Sequence, residues 1–205
     1  MNILSWVMSF GGEEEQQGQQ SVTPNPYHPS PSSSSDDNNL LHAAHHASHL
    51  TDLSPAFFTP LLRTISDHLS QLTAQPLDEE LAVRHHKQYF PRPTSSPSPP
   101  EAATARGLGD AAALQALRMF RLPMTYDAGR RMTGRNAFVG LAMAQAVRLW
   151  EEQREEGNVG AGVEVEGVVR KAGEVAVWLW ARRGEVEARG RGWEGESEKR
   201  GEGMV

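Results

Sequence analysis

Ser54-Pro-Ala-Phe-Phe-Thr-Pro-Leu-Leu-Arg-Thr-Ile-Ser-Asp-His-Leu-Ser-Gln-Leu72 is the stretch whose reading decides the fold. Its apolar residues Phe58, Leu61, Leu62, Ile65, Leu69 and Leu72 recur at spacings of three and four, which on a 3.6-residue helix forms one continuous stripe wide enough to enter a core. Ser54 before Pro55, or Thr59 before Pro60, can start it, because proline in a first helical turn removes a donor that has no partner there anyway. A helix to about Leu72 is expected, and its stripe needs other helices to cover it.

The flanking sequence supplies them. Upstream, Asn38 or Asn39 can cap a helix that puts Leu40, Ala43, Ala44, Ala47 and Leu50 on one side and His42, His45, His46 and His49 on another. Downstream, Asp78 caps a third helix with Glu79 and Glu80 in its first turn, where carboxylates meet the positive end of the helix dipole. Its expected buried set is Leu77, Leu81, Ala82, His85, Tyr89 and Phe90.

Pro91 to Glu101 is too rich in proline for helix or sheet and reads as an extended spacer. Beyond it Asp110 is the expected cap of a fourth helix with Ala113, Leu114, Ala116, Leu117 and Phe120 as core, ending before Pro123. Asn136 is the expected cap of a fifth, with Phe138, Leu141, Ala142, Ala146, Leu149 and Trp150 inside and Gly157 stopping it. Val163 to Arg182 is rich in strand-favouring valine. The spacing of Val165, Val168, Val169, Ala172, Ala176, Leu179 and Trp180 nevertheless predicts a helix, which Gly167 and Gly173 weaken.

The expectation is an all-α protein, a small bundle of five or six helices in two lobes, 39–90 and 106–183, with spacer 91–105 between them. Residues 1–38 form a short amphipathic segment and a polar tether, and 184–205 a charged tail, both of disordered composition. Met1 to Phe10 is too short to span a bilayer and lacks the basic flank of a signal peptide. As a helix it would gather Ile3, Trp6, Val7 and Phe10 for docking. No transmembrane segment is expected.

The chain has 205 residues, a formal net charge of -6 and no cysteine, which excludes disulfides and thiolate metal sites and suits the cytoplasm or nucleus. Acidic residues predominate over 36–90 and arginine over 106–150. Opposite charges of this kind suit docking of one half on the other as well as on a separate partner.

Two clusters could carry chemistry. His42, His45, His46 and His49 contain two i, i+4 histidine pairs, a geometry that can chelate a divalent metal from one helix face, with Asp36, Asp37, His85 or His86 as the available further ligand. The same residues can simply be a polar face, or a pH-sensitive one, since clustered imidazoles repel when protonated. Arg118, Arg121, Arg130, Arg131 and Arg135, interleaved with Phe120 and Tyr126, could hold nucleic-acid phosphates; pairing with the acidic half is the plainer reading, and nucleic acid is not the expected partner. His85 and His86 beside Tyr89 could act as base and donor, although a histidine on such a face more often satisfies a structural partner. Gly107-Leu-Gly109 and Gly160-Ala-Gly162 lack the strand and third glycine of a dinucleotide loop, and no serine stands in a nucleophile elbow.

The order of motifs resembles a fungal domain family of unknown function, some of whose members are labelled beta-flanking protein. The motifs are His45-His-Ala-Ser-His49, Phe57-Phe-Thr-Pro-Leu-Leu62, Leu77-Asp-Glu-Glu-Leu-Ala-Val-Arg-His-His86, Ala111-Ala-Ala-Leu-Gln-Ala-Leu-Arg-Met-Phe120, Asn136-Ala-Phe-Val-Gly-Leu-Ala-Met-Ala144 and the Ala172 to Trp180 helix. These are helix-packing patterns, so the resemblance implies a fold and no catalytic residue. The functional expectation is a non-enzymatic interaction or scaffold module with a protein partner and no cofactor. A metal- or ligand-binding protein using the histidine face, and weak nucleic-acid association through Arg118 to Arg135, are the alternatives.

Overall fold

The computed structural model describes residues 39–90, 102–121 and 134–198, with side chains as far as Phe120 in the second stretch and Arg183 in the third. Among the described residues seven helices follow one another: α1 His42–Ser48, α2 Pro55–Asp67, α3 Leu69–Ala74, α4 Glu79–Tyr89, α5 Ala105–Arg121, α6 Gly134–Glu155 and α7 Val165–Glu198. The fold is all-α. Its only extended pairing among the described residues is a bridge in which Ala103 meets the α6–α7 loop, Ala103 N–H donating to the Asn158 carbonyl at 2.9 Å.

α5, α6 and α7 pack on one another as a three-helix frame, and the first lobe is laid around it: α1 on α6, α2 on α1 and α7, α3 on α7, and α4 on α5. The two lobes therefore share one core, in which Phe58, Leu62 and Ile65 from α2 join Leu108 and Leu114 from α5, Phe138, Leu141 and Met143 from α6, and Val168 and Val169 from α7. Removing such side chains from water supplies most of the driving force, at roughly 1.5–3 kcal/mol for each large apolar residue.

Several helix ends follow the expected chemistry. Asp78 caps α4, accepting from Leu81 N–H at 3.0 Å, whereas the Asn39 side chain accepts from Leu41 N–H at 3.0 Å in the turn before α1, whose cap position is Leu41. Gly157 follows α6 with φ 75°, the left-handed conformation that glycine adopts without steric cost. The Val163 to Arg182 segment is helical from Val165, as its period predicts.

Other expectations are corrected. The stripe from Ser54 to Leu72 is broken at His68, whose backbone leaves helical values, so it forms two helices. Asp110 is no cap: Thr104 Oγ1 accepts from Gly107 N–H at 3.0 Å, α5 starts at Ala105, and Asp110 is wholly buried in the second turn. Asn136 is likewise inside α6 and buried, since the helix begins at Gly134. On α4 the inward residues are Ala82, Val83 and His86, with His85 half-buried. The segment Met1 to Phe10, the tether and residues 91–101 lie outside the described residues, and the charged tail expected from 184 falls beyond the described side chains.

Candidate functional site

The seam between α4 and α5 brings together two buried polar side chains of the core, His86 and Asp110. Asp110 is 0% exposed, and its Oδ2 accepts from His85 Nδ1 at 2.9 Å and lies 3.7 Å from Arg106 Nε. Asp110 Oδ1 is buried and accepts no hydrogen bond from the described residues. One turn further along, His86 Nε2 donates to Gln115 Oε1 at 3.1 Å, and its ring packs on Phe90 with centroids 5.1 Å apart. Burial is the main reason that His86 resists protonation, its pKa falling from 6.5 to about 4. The Gln115 bond acts the other way, and the Arg118 charge adds to the lowering.

A carboxylate holding one ring nitrogen of a histidine leaves the other nitrogen as an acceptor, the arrangement that orients catalytic and metal-binding imidazoles. Tyr89 and Thr104 stand at the same end of the seam, both within 3.5 Å of the position a methyl group on Gly107 would take. Equally, the pair ties the first lobe to the second, which is a structural role complete in itself. The expected charge pattern runs the other way here, because the base comes from the acidic half and the acid from the basic half.

On α1, Ala43, Ala44 and Ala47 are buried against α6 while His42, His45 and His49 are exposed. His46 is half-buried, and burial is the first cause of its lowered pKa, followed by the charges that His49, His42 and His45 would carry. Among the described residues no group of three or more His, Cys, Asp or Glu is placed to hold a metal ion. Of the further ligands considered, His85 and His86 are engaged in the α4–α5 seam, and Asp36 and Asp37 lie outside the described residues.

The arginine cluster is not brought together in view. Arg118 is exposed on α5 beside His86, and Arg135 is half-buried at the start of α6. The Arg121 side chain, Arg130 and Arg131 lie outside the described residues.

Two surface features are not legible in the sequence. A cleft of about 330 Å³ is lined by His49, Thr51, Asp52, Leu53, Arg148 and Glu151, with Arg148 Nη2 donating to the Leu50 carbonyl at 2.9 Å. Along α2 and α3, Leu61, Leu69 and Leu72 pack on the core but are only partly buried, and α3 buries none of its residues fully. Both arise from helix placement, which residue spacing alone does not determine.

Residues 35–122 match a domain of unknown function, DUF7721, a span that covers α1 to α5 and less than half of the chain. No curated protein and no solved structure matches the chain. No helix among the described residues is long and apolar enough to cross a membrane.

Proposed function

We propose that the chain is a non-enzymatic helical interaction module that binds a protein partner along α2 and α3. The observation that carries this reading is that Leu61, Leu69 and Leu72, at the margin of the core, stay only partly buried on two helices held by α1 and α7. Exposed Arg63, Asp67 and His68 stand beside them in sequence, so that partly buried leucines alternate with polar residues, the pattern on which an amphipathic partner helix can lie. The order of motifs supports placing this module among the fungal proteins of unknown function, and the cysteine-free composition supports the cytoplasm or nucleus.

The test uses Leu61→Glu/Leu69→Glu/Leu72→Glu in the full chain, checked for an unchanged helical melt. A protein retained stoichiometrically by the original chain and by an Arg63→Gln control is expected to be lost from the triple variant. Equal retention by all three would overturn the reading.

A second reading has its own observation: exposed His42, His45 and His49 lie with half-buried His46 on one side of α1 and its C-cap, forming the i, i+4 pairs His42–His46 and His45–His49. Here the histidine face holds a divalent metal. Zinc, nickel or copper should then raise the melting midpoint over an EDTA control, and His45→Ala/His49→Ala should abolish the rise. No rise in the original chain sinks this reading.

A further inference from the structure

α4 is held to the molecule mainly through one neighbour. It packs principally on α5, is preceded by the turn at Gln75 to Asp78, and contributes Ala82, Val83 and His86 as its fully buried residues. Tyr89 and Phe90 at its end pack on the core only partly buried, and this limited apolar contribution gives α4 a low local opening energy, while the α5–α6–α7 frame keeps its own packing. One of the three fully buried residues can acquire a charge. The His86 ring is 2% exposed, and the charge nearest to it in effect, Arg118, has the same sign as the proton it would take up.

The charged and titratable groups around this seam come from both sides. α5 supplies Asp110, Arg106 and Arg118, and α4 itself supplies Glu79 and Glu80 in its first turn and then Arg84, His85, Lys87 and Tyr89. Lys171 and Glu174 of α7 line the cleft at Leu77 where α4 is entered. Among these groups one pair opposes the effect of acid: a protonated His85 binds the Asp110 carboxylate more strongly, at 2.9 Å. That gain is limited by the 15% exposure of His85, which leaves its charge partly hydrated in either state. A charge on His86, by contrast, would be desolvated by the burial of the residue at 2% exposure, with the Gln115 amide accepting from Nε2, and would be hydrated once α4 leaves.

We propose that the α4–α5 seam is an acid-operated latch, in which protonation of His86 releases α4 from α5 while the α5–α6–α7 frame stays folded. The latch stands independently of the partner-binding surface on α2 and α3. Its consequence is exposure of the α5 face carrying Asp110 and Gln115 below neutral pH. With 6.5 for an open histidine and about 4 for the closed one, linkage raises the open-to-closed ratio roughly thirtyfold between pH 7.5 and pH 5.

The chain contains no cysteine, so single thiols report on it cleanly. Val83→Cys places a thiol on the buried face of α4, Ala142→Cys one within α6, and Arg84→Cys an exposed reference. Labelling of the full-length protein with 4,4′-dithiodipyridine is measured at pH 7.5 and pH 5, each rate divided by that of the exposed reference. The expected result is roughly thirtyfold faster relative labelling at residue 83 in acid, with residue 142 still protected. His86→Phe should remove the acceleration. Gln115→Glu, which offers the protonated ring a carboxylate, should move it to lower pH even if the phenylalanine variant folds poorly. Unchanged protection at residue 83, parallel exposure of residue 142, or equal acceleration in Gln115→Glu would each overturn the latch.

Discussion

Gly140 of α6 lies so close beneath His46 of α1 that a methyl group on Gly140 would stand 2.5 Å from the His46 Cβ and 2.7 Å from the Ala43 carbonyl oxygen. Replacing a helical glycine by alanine ordinarily gains about 1 kcal/mol through backbone entropy. Here the obstructing atoms include backbone, which no rotamer change can remove, and overpacking costs about 1–3 kcal/mol. Gly140→Ala is therefore expected to lower stability. Gly167→Ala, whose methyl would meet Ala105 Cβ at an ordinary 3.7 Å, is expected to raise it. Urea midpoints of the two variants should move in opposite directions, and equal shifts would refute the close α1–α6 approach.

The boundary of the matched domain makes a second prediction. Residues 35–122 include α1 but not α6, the helix that buries Ala43, Ala44 and Ala47, nor α7, on which Ile65 rests over Gly173. A polypeptide of residues 35–122 would leave both apolar faces open to water. It should show no cooperative melt by circular dichroism while the full chain does, and adding a polypeptide of residues 134–205 should restore one. A sharp transition for 35–122 alone would mean that α1 to α5 suffice as a folding unit.

How much of the fold is legible in the sequence follows from what each signal reports. Periodicity reports which side of a helix is apolar, so the spacing alone assigns Leu40, Ala43 and Ala47, or Phe58, Leu62 and Ile65, to the inward face that they occupy. It does not report depth, and Leu61, Leu69 and Leu72 from the same stripe end only partly buried. Gly107 and Gly109 read as loop, which misplaces the start of α5, whereas Gly109 is where α5 comes against Lys171 and Ala172 of α7. The same error turns Asp110 into a cap and hides its pairing with His85, a contact 25 residues away that no local pattern encodes. Of the candidate sites, the histidine face of α1 is legible from spacing and the α4–α5 seam is not.

Trp178 fixes the approach to α4. Its Nε1–H donates to the Gln75 carbonyl at 2.8 Å from a side chain only 5% exposed, closing the turn between α3 and α4 onto α7. Trp178→Phe keeps most of the apolar contact but removes the donor, which should cost about 1–2 kcal/mol. The checks are a lower urea midpoint and faster amide exchange over residues 75–78, with α6 exchange unchanged. Unaltered exchange in that turn would show that the hydrogen bond does not hold it.

The histidine face of α1 predicts a dependence of stability on pH whose sign is fixed by the direction of the His46 shift. His46 is harder to protonate in the folded protein than in the unfolded chain, first because of burial and then because of the charges on His49, His42 and His45. Below about pH 6.5 the unfolded chain thus binds more protons at this position. Stability is complete above that pH and declines as the solution is acidified. His42→Gln/His45→Gln/His49→Gln removes the three neighbouring charges and leaves the burial of His46 in place. Urea midpoints at pH 8 and pH 5.5 should therefore fall less in the triple variant than in the original chain, with the loss common to both belonging to buried groups such as His86. An identical fall in both proteins would mean that solvent screens the exposed imidazoles from one another.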